Sequence, residues 1–407
     1  MTQVAELPES RPVKLGCPVC SSQNVEDLLR FDSVPVFCNV LHESAESASA
    51  APTAAIDLAV CASCSHIFNA SFDSNLVAYS AGYENALHHS GTFVGYQDWL
   101  VRKLVSDHGL RGQRIVEIGC GQGDFLSALC IAGGNSGVGF DPSYRGDAVL
   151  PGVESIQPRY FDSSDAIGTE VVVCRQVLEH IDQPLEFLGD LVDALGPGKL
   201  VAFEVPNGEW CFGAGGIWDV IYEHCGYFTA GSLSELLRRC ALEIDEVSET
   251  FGGQFLLIIA RTGTRSNMND TESARTRQSI DALRVAARNM LQQHNAWRSR
   301  VVALDEAQGP TVIWGAGSKG ATFLNLVDPG RRTAFAVDLN PKKVGRYVPG
   351  TGQRVVSPEQ LAGIHPGTVI VMNPNYEDEI RALVRQLGLQ QEPVVIVHSS
   401  PREVRSP

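Results

Sequence analysis

Residues 113–141, QRIVEIGCGQGDFLSALCIAGGNSGVGFD, constrain the fold of this chain more than any other stretch. Residues 114–118, RIVEI, are apolar and branched except for Arg114 and Glu117, the pattern of a buried parallel strand. The run stops at Gly119, Gly121 and Gly123, and helical periodicity follows over 124–131. Glycines at such a turn let the backbone approach a ligand closely, because no Cβ intervenes. A second short strand, 137–140, ends in Asp141. An acid at the tip of the second strand is where a doubly wound sheet receives two ribose hydroxyls, so the expected ligand is a nucleoside.

The start of the helix says which nucleoside. A nicotinamide dinucleotide sets its pyrophosphate on the helix N-terminus, where free N–H groups and the helix dipole favour an anion. Here Asp124 opens the helix and would repel that group. S-adenosylmethionine carries no phosphate, and its sulfonium is positive. E-I-G-C-G-Q-G followed by G-F-D resembles the first two motifs of class I methyltransferases. The cofactor residues expected on this reading are Glu117, Gly119, Gly121, Gly123 and Asp141, with Gln176 farther along. The alternative is an ordinary strand–turn–helix in another α/β domain.

At 407 residues the chain has room for two or three domains with proper cores. Its 47 acidic against 32 basic residues leave a net charge of −15, which argues against nucleic acid and anionic membrane as partners. No apolar stretch reaches the roughly 20 residues needed to span a bilayer. MTQVAELPES at the start is not a signal peptide. The expected location is the cytoplasm, and there eleven cysteines are thiols, metal ligands or core residues rather than disulfides.

Four of these cysteines form two knuckles, Cys17-Pro-Val-Cys20 and Cys61-Ala-Ser-Cys64, with a polar, alanine-rich insertion at 43–55 between them. Each knuckle can present two sulfurs to one ion, and four thiolates satisfy tetrahedral zinc in a closed, structural site. A redox dithiol is the alternative. Cys38, His42 and His66 lie nearby but lack a partner at ligand spacing.

Beyond the cysteines, Tyr79 and Tyr83 stand four apart in 72–90 and share a face if that stretch is helical, an arrangement that more often means packing than a lid. A helix over 95–108 leads into the sheet. Strands are expected at 171–174, 200–205 and 251–260, and a helix at 185–195. RQVLEH (175–180) and EVPN (204–207) then fall at strand ends, where α/β sheets place ligands. Residues 218–229, WDVIYEHCGYFT, crowd Tyr222, Glu223 and His224 together, a composition suited to proton transfer. Residues 263–277 read as a linker.

Taken together, the paired knuckles, the glycine loop, R-Q-V-L-E-H, E-V-P-N and Y-E-H-C-G-Y-F-T resemble the sugar C-methyltransferases of bacterial deoxysugar biosynthesis, over nearly the whole chain. The resemblance implies an α/β protein in three parts: a small zinc-binding module (1–75), a class I, Rossmann-like methyltransferase domain (76–263) and a C-terminal Rossmann-like domain (278–407) that helps hold a nucleotide-linked 4-keto sugar, dTDP-linked foremost. It implies methylation at the carbon beside the ketone, with His224 as base, Tyr222 and Glu223 beside it, and His180 with Tyr79 or Tyr83 around the substrate. The expected cofactors are S-adenosylmethionine and structural zinc. Oligomeric state stays open, a monomer included.

The C-terminal part offers a rival. Strand 311–314 runs into Gly315-Ala-Gly317-Ser-Lys319-Gly320, which fits G-x-G-x-x-G, and Asp338 ends the next strand. Read alone, this is a nicotinamide site and an oxidoreductase, or a second activity. Lys319 inside the loop suits a phosphate or a nearby aspartate instead, and Lys342, Lys343 and Arg346 follow. The expected substrate contacts are Lys319, Asn207, Asn373 and Asn375. A silent sugar-nucleotide binding protein is the third reading, disfavoured by the presence of both a cofactor loop and a proton-transfer cluster.

Overall fold

A computed structural model describes residues 16–79, 82–146, 150–263, 280–304, 309–328 and 332–389, and the backbone of 394–396. Beyond Gly263, the expected linker lies outside the described residues.

The chain opens with a long antiparallel hairpin, β1 (Val25–Pro35) and β2 (Thr53–Cys61), followed by β3 (Ile67–Asn69). The insertion between β1 and β2 is not a bare loop. Ser44 caps a short helix, Ala45–Ser49, whose Ala48 carbonyl accepts the Gly350 N–H, and His42 bridges Tyr347. The insertion thus docks on the C-terminal unit. Before the central sheet, helix Gly91–Ser106 starts four residues earlier than the sequence suggests, because Ser90 caps it by accepting the Phe93 N–H.

The central sheet has seven strands. β4 (Arg114–Ile118), β5 (Ser136–Phe140), β6 (Val153–Gln157), β7 (Val171–Arg175) and β8 (Leu200–Pro206) are parallel; the Val, Ile and Leu runs of β4, β7 and β8 are buried on both faces, while β6 is a half-exposed edge. The next strand, β9 (Gly226–Tyr227), leaves this sheet and pairs with the edge of β3. β10 (Leu242–Thr250) and β11 (Phe255–Thr262) return as an antiparallel hairpin against β8. The order is β10-β11-β8-β7-β4-β5-β6, so the direction of winding reverses between β4 and β7, where such sheets open a crevice. This is the class I methyltransferase fold. The strand expected from residue 251 begins at Phe255, because Phe251, Gly252 and Gly253 turn in the left-handed region. Helix Ala230–Arg239 and β10 were not anticipated from the sequence.

A 24-residue helix, Ile280–Ala303, leads to a second parallel sheet of β12 (Thr311–Trp314), β13 (Thr333–Val337), β14 (Arg354–Val356), β15 (Thr368–Val371) and β16 (Val394–Ile396), ordered β14-β13-β12-β15-β16. The first and last sheets share one core. Phe31, Ile56 and Leu58 of the hairpin pack in the same cluster as Trp218 and Tyr222, as Leu283 and Trp297 of the long helix, and as Phe323 and Ile370 of the C-terminal unit. Segment 208–229 is therefore a wedge among all three sheets. No described helix is long and apolar enough to cross a membrane.

Candidate active site

The four knuckle cysteines converge. Cys17 and Cys64 sulfurs stand 3.6 Å apart and those of Cys20 and Cys61 3.4 Å, and all four lie within 4.8 Å of one another. The two knuckles are built alike: the Ser21 N–H donates to the Cys17 carbonyl and the Ser65 N–H to the Cys61 carbonyl, each serine at positive φ. Contact with Cys17 draws the Cys20 thiol down to about 7 and lowers Cys61 as well, while Cys17 and Cys64 are driven up by their neighbours. Four soft donors at tetrahedral spacing fit a thiolate-bound metal. Cys38, kept out of this set, contacts Thr322 in the shared core.

At the crevice, Gly119, Gly121 and Gly123 all adopt positive φ. A Cβ at Gly119 would lie 2.2 Å from the Val177 side chain, so only glycine fits between β4 and the end of β7. Asp141 holds this loop: one carboxylate oxygen accepts the Gly121 N–H (2.8 Å), the other the Ser143 N–H (2.7 Å) and hydroxyl (2.6 Å). Glu117 is buried beside it, with one carboxylate oxygen lacking a partner among the described residues. Burial, with Asp141 and Asp124 nearby, pushes its acid up to about 8 despite Arg175. Gln176 sits in the left-handed region at the tip of β7, its amide donating to Glu204 (3.2 Å).

The loop opens into a cavity of about 730 Å³, lined from all three parts of the chain. On its wall stand His180 and His224, ring centroids 4.9 Å apart and edge to face. His180 Nδ1 lies 2.8 Å from the Glu223 carbonyl and 2.8 Å from the Tyr79 hydroxyl. A carbonyl only accepts, so Nδ1 carries the proton and Nε2 the lone pair. The Tyr79 oxygen shares that N–H, which leaves its own O–H free to donate into the cavity. Neither nitrogen of His224 has a hydrogen-bond partner among the described residues. Burial, then His180, holds its pKa well below the usual value, and burial alone brings His180 to about 4. Both imidazoles are neutral at pH 7. Glu179, beside His180 Nε2 at 3.9 Å, is pushed by burial to about 8 and is largely protonated there.

Four expected site residues do not line the cavity, the first being Gly123, which caps the helix after the loop. Tyr222 is fully buried in the shared core against Phe72, its hydroxyl accepting the Asp73 N–H at 2.9 Å, and it does not line the cavity. Glu223 lies behind the wall, where its carboxylate accepts the Cys38 N–H (2.9 Å) and faces Tyr83. Successive residues of an irregular segment leave on different sides, so only His224 of this trio reaches the cavity. Asn375 is also outside it: its amide donates to the Phe251 carbonyl (2.5 Å), pinning the C-terminal unit to the β10–β11 turn.

Tyr79 and Tyr83 do sit together, ring centroids 4.9 Å apart, and among the described residues of that stretch the only helical turn is Ser74–Leu76. Both line the cavity, Tyr79 against His180, while the Tyr83 hydroxyl accepts the Asn39 amide (3.3 Å). Asn207 lines it too, though its amide donates to Gly253 and its oxygen caps Glu209. Asn373 exchanges two amide hydrogen bonds with Gln254, at 2.6 and 2.9 Å. Lys319 opens the second glycine loop onto the cavity, ion-paired with Asp219 and lying 4.7 Å over the Trp210 ring, the nearby aspartate anticipated for it. In that loop a Cβ at Gly320 would strike the Gly315 carbonyl at 1.8 Å.

Sequence reasoning missed a buried charge hub. Glu204 accepts from the Arg175 guanidinium (3.0 and 3.2 Å), from Gln176 and from the Tyr96 hydroxyl, and Arg175 lies 4.0 Å over the Phe125 ring. An Arg and a Glu at the ends of adjacent strands were the available signal. Glu84 and Arg145 were missed as well, since nothing local marks two loop charges as partners.

With this geometry in view, comparison with known proteins is informative. Residues 93–247 match the family described as "Methyltransferase domain", and residues 249–396 the one described as "C-methyltransferase C-terminal domain". The C-methyltransferase NovU of Streptomyces niveus is 27% identical over 397 residues, covering 91% of this chain and 92% of that protein. A ubiquinone biosynthesis O-methyltransferase of Aromatoleum aromaticum is 29% identical over 119 residues, 27% of this chain and 49% of its own length. Among solved structures, an S-adenosylmethionine-dependent methyltransferase from Mesorhizobium loti aligns with 41% of this chain and 99% of its own, at 18% identity and a TM-score of 0.33. A class I sheet with its glycine loop, two adjoining domains matched from residue 93 to residue 396, and a likeness to NovU along nearly its full length make this chain a member of the S-adenosylmethionine-dependent C-methyltransferases.

Proposed function

We propose that this enzyme methylates the carbon beside the ketone of a nucleotide-linked 4-keto deoxysugar, dTDP-linked foremost. The observation that carries the reading is one cavity shared by the cofactor loop, a neutral and uncommitted His224, and the glycine loop of the C-terminal unit. A hydrogen beside a ketone is acidic because its conjugate base is an enolate, nucleophilic at that carbon. His224 removes the proton, and the Tyr79 O–H, turned toward the cavity by the His180 tautomer, donates to the developing oxyanion. A preorganised donor of this kind contributes about 3 kcal/mol. S-adenosylmethionine, held by Gly119, Gly121, Asp141 and Gln176, supplies the methyl group. Glu117, on the cavity lining, would also face the bound cofactor, and Gly123 caps the helix that follows the loop.

In this reading Lys319, Asn207 and Asn373 serve the nucleotide-sugar, and Tyr83 walls the sugar pocket. Glu223 supports Tyr83 rather than touching substrate. Tyr222 and Asn375 hold structure. Cys17, Cys20, Cys61 and Cys64 hold a zinc ion that closes the N-terminal hairpin, far from any need of the chemistry.

The test uses solvent exchange. Enzyme, S-adenosylhomocysteine and a 4-keto sugar nucleotide in heavy water should wash out the hydrogen beside the ketone without methylation. His224→Asn should depress exchange and methyl transfer together, by about 10²–10⁴-fold. Exchange surviving in His224→Asn but lost in His180→Asn would transfer the base to His180. Absence of exchange and of methylation across thymidine- and uridine-linked keto sugars would sink the substrate class.

A further inference from the structure

Glu84 takes no part in the chemistry above, yet its carboxylate joins three places that are distant in sequence. One oxygen accepts from the Arg145 guanidinium at 3.0 Å and faces the Lys342 ammonium at 3.6 Å, while the other accepts the Asn340 amide at 3.0 Å. Arg145 belongs to the loop after Asp141, and its own N–H donates to Gln122 of the first glycine loop (3.3 Å). Asn340 and Lys342 belong to the loop after Asp338, whose carboxylate accepts the Asn340 N–H at 2.9 Å. The loops that follow the acid tips of both sheets therefore meet on one side chain, 12% exposed.

The same residue anchors a cavity wall. Residues 82–90 carry no helix or strand, so side-chain contacts position them. The Glu84 N–H donates to the Asn39 carbonyl (3.1 Å), and the Asn39 amide donates to the hydroxyl of Tyr83, the neighbour of Glu84. Ions that are half desolvated and hydrogen-bonded interact more strongly than exposed pairs. Glu84 thus links the cofactor loop to both Tyr83 and the C-terminal loop, while His88, 3.5 Å from Asp124, gives segment 82–90 a second contact with the start of the cofactor helix.

We propose that Glu84 is a positioning residue that couples cofactor binding to the loop after Asp338, ordering the Tyr83 wall and the C-terminal side of the substrate cavity together. A simple staple would stabilise the fold equally with and without ligand. A coupler transmits the ligand's effect, and the transmission is reciprocal.

Hydrogen exchange on the full chain, with S-adenosylhomocysteine as probe, separates the two. In the unsubstituted protein the probe should slow exchange in 119–125 and, at a distance, in 82–90 and 338–346, by about fivefold or more. Glu84→Ala should retain protection at 119–125 and lose it at 338–346. Lys342→Ala, which cuts the C-terminal arm alone, should keep 82–90 protected and weaken 338–346. Glu84→Gln, which keeps an acceptor for Asn340 without the charge, should fall between and serves if the alanine variant folds poorly. Protection at 338–346 that persists in both Glu84 variants, or is missing before any substitution, overturns the coupling. Missing protection at 119–125 in the unsubstituted protein overturns the cofactor-loop assignment as well.

Discussion

Replacing Asp141 by alanine tests the cofactor site most directly, because the structure separates two costs. Its carboxylate accepts three hydrogen bonds from its own loop, at 2.6, 2.7 and 2.8 Å, so one of its roughly four lone-pair directions, on the oxygen that accepts Gly121, remains for a ribose hydroxyl. Hydrogen bonds to a charged group contribute about 1.5–3 kcal/mol each. Losing that one from the cofactor predicts a loss of roughly 1.5–3 kcal/mol, so S-adenosylhomocysteine should bind about 10–10²-fold more weakly by calorimetry. The loop itself loses about 1–2 kcal/mol, since water replaces part of what the carboxylate held, and the melting temperature should fall by about 2–8 °C. Asp141→Asn sharpens the test. Three donors surround the two oxygens, so an amide must set its own NH₂ against one of them, and asparagine should bind cofactor little better than alanine. Ser143→Ala removes one loop donor and no ribose contact, so it should lower stability and spare affinity. If Asp141→Ala lost stability but bound cofactor within about threefold of the original, Asp141 would be a staple of the loop and the ribose argument would fail.

Further outcomes are expected. Elemental analysis should find about one zinc per chain, and Cys61→Ser should lower folding yield before it alters turnover; fully active protein without metal would contradict the zinc assignment. NAD and NADP should show no heat of binding, and Lys319→Ala should weaken a sugar nucleotide; tight NAD binding lost in Lys319→Ala would return the oxidoreductase reading. The base must be neutral, and burial with His180 nearby lowers its folded pKa, so kcat/KM should stay level down through pH 6.5 and fall only as pH drops through that depressed value. This acid limb should vanish in His224→Asn. The same sign governs folding: stability held by the neutral histidines is complete above about 6.5, the unfolded value, and is lost for His180 as pH falls through about 4.

The sequence made the central sheet legible where local chemistry decides conformation. Branched runs at β4, β7 and β8 can only be buried strands, and the glycines of the first loop are required by positive φ and by contacts such as that of Gly119 with Val177. The cysteine knuckles were legible for the same reason, since spacing alone brings two sulfurs together. What escaped was decided across distance. β10 alternates half-buried and exposed residues between its buried ends and carries three Glu and one Asp, so it reads as surface until β11 pairs with it. Tyr79 and Tyr83 meet because Asn39, Glu223 and His180, none of them near in sequence, position the rings. Tyr222 and His224 differ in fate although two residues apart. Their segment packs in the core shared by the first and last sheets and, at Phe228, in that of the central sheet, and nothing local says which side faces which.

The pairing of β9 with β3 bears on how the chain is made and how it can be divided. The N-terminal hairpin cannot complete its sheet until residues 226 and 227 have been synthesised, about 160 residues after β3. Domains of a growing chain generally fold in order from the N-terminus. Here the first module must wait with an open strand edge, and such edges recruit other chains. A protein cut at residue 75 would keep its cofactor sheet but lose the partner that holds Tyr227, three residues from His224. His224, the proposed base, thus lies on the return path of a strand lent to another module, so the module and the segment that carries this histidine are inherited together.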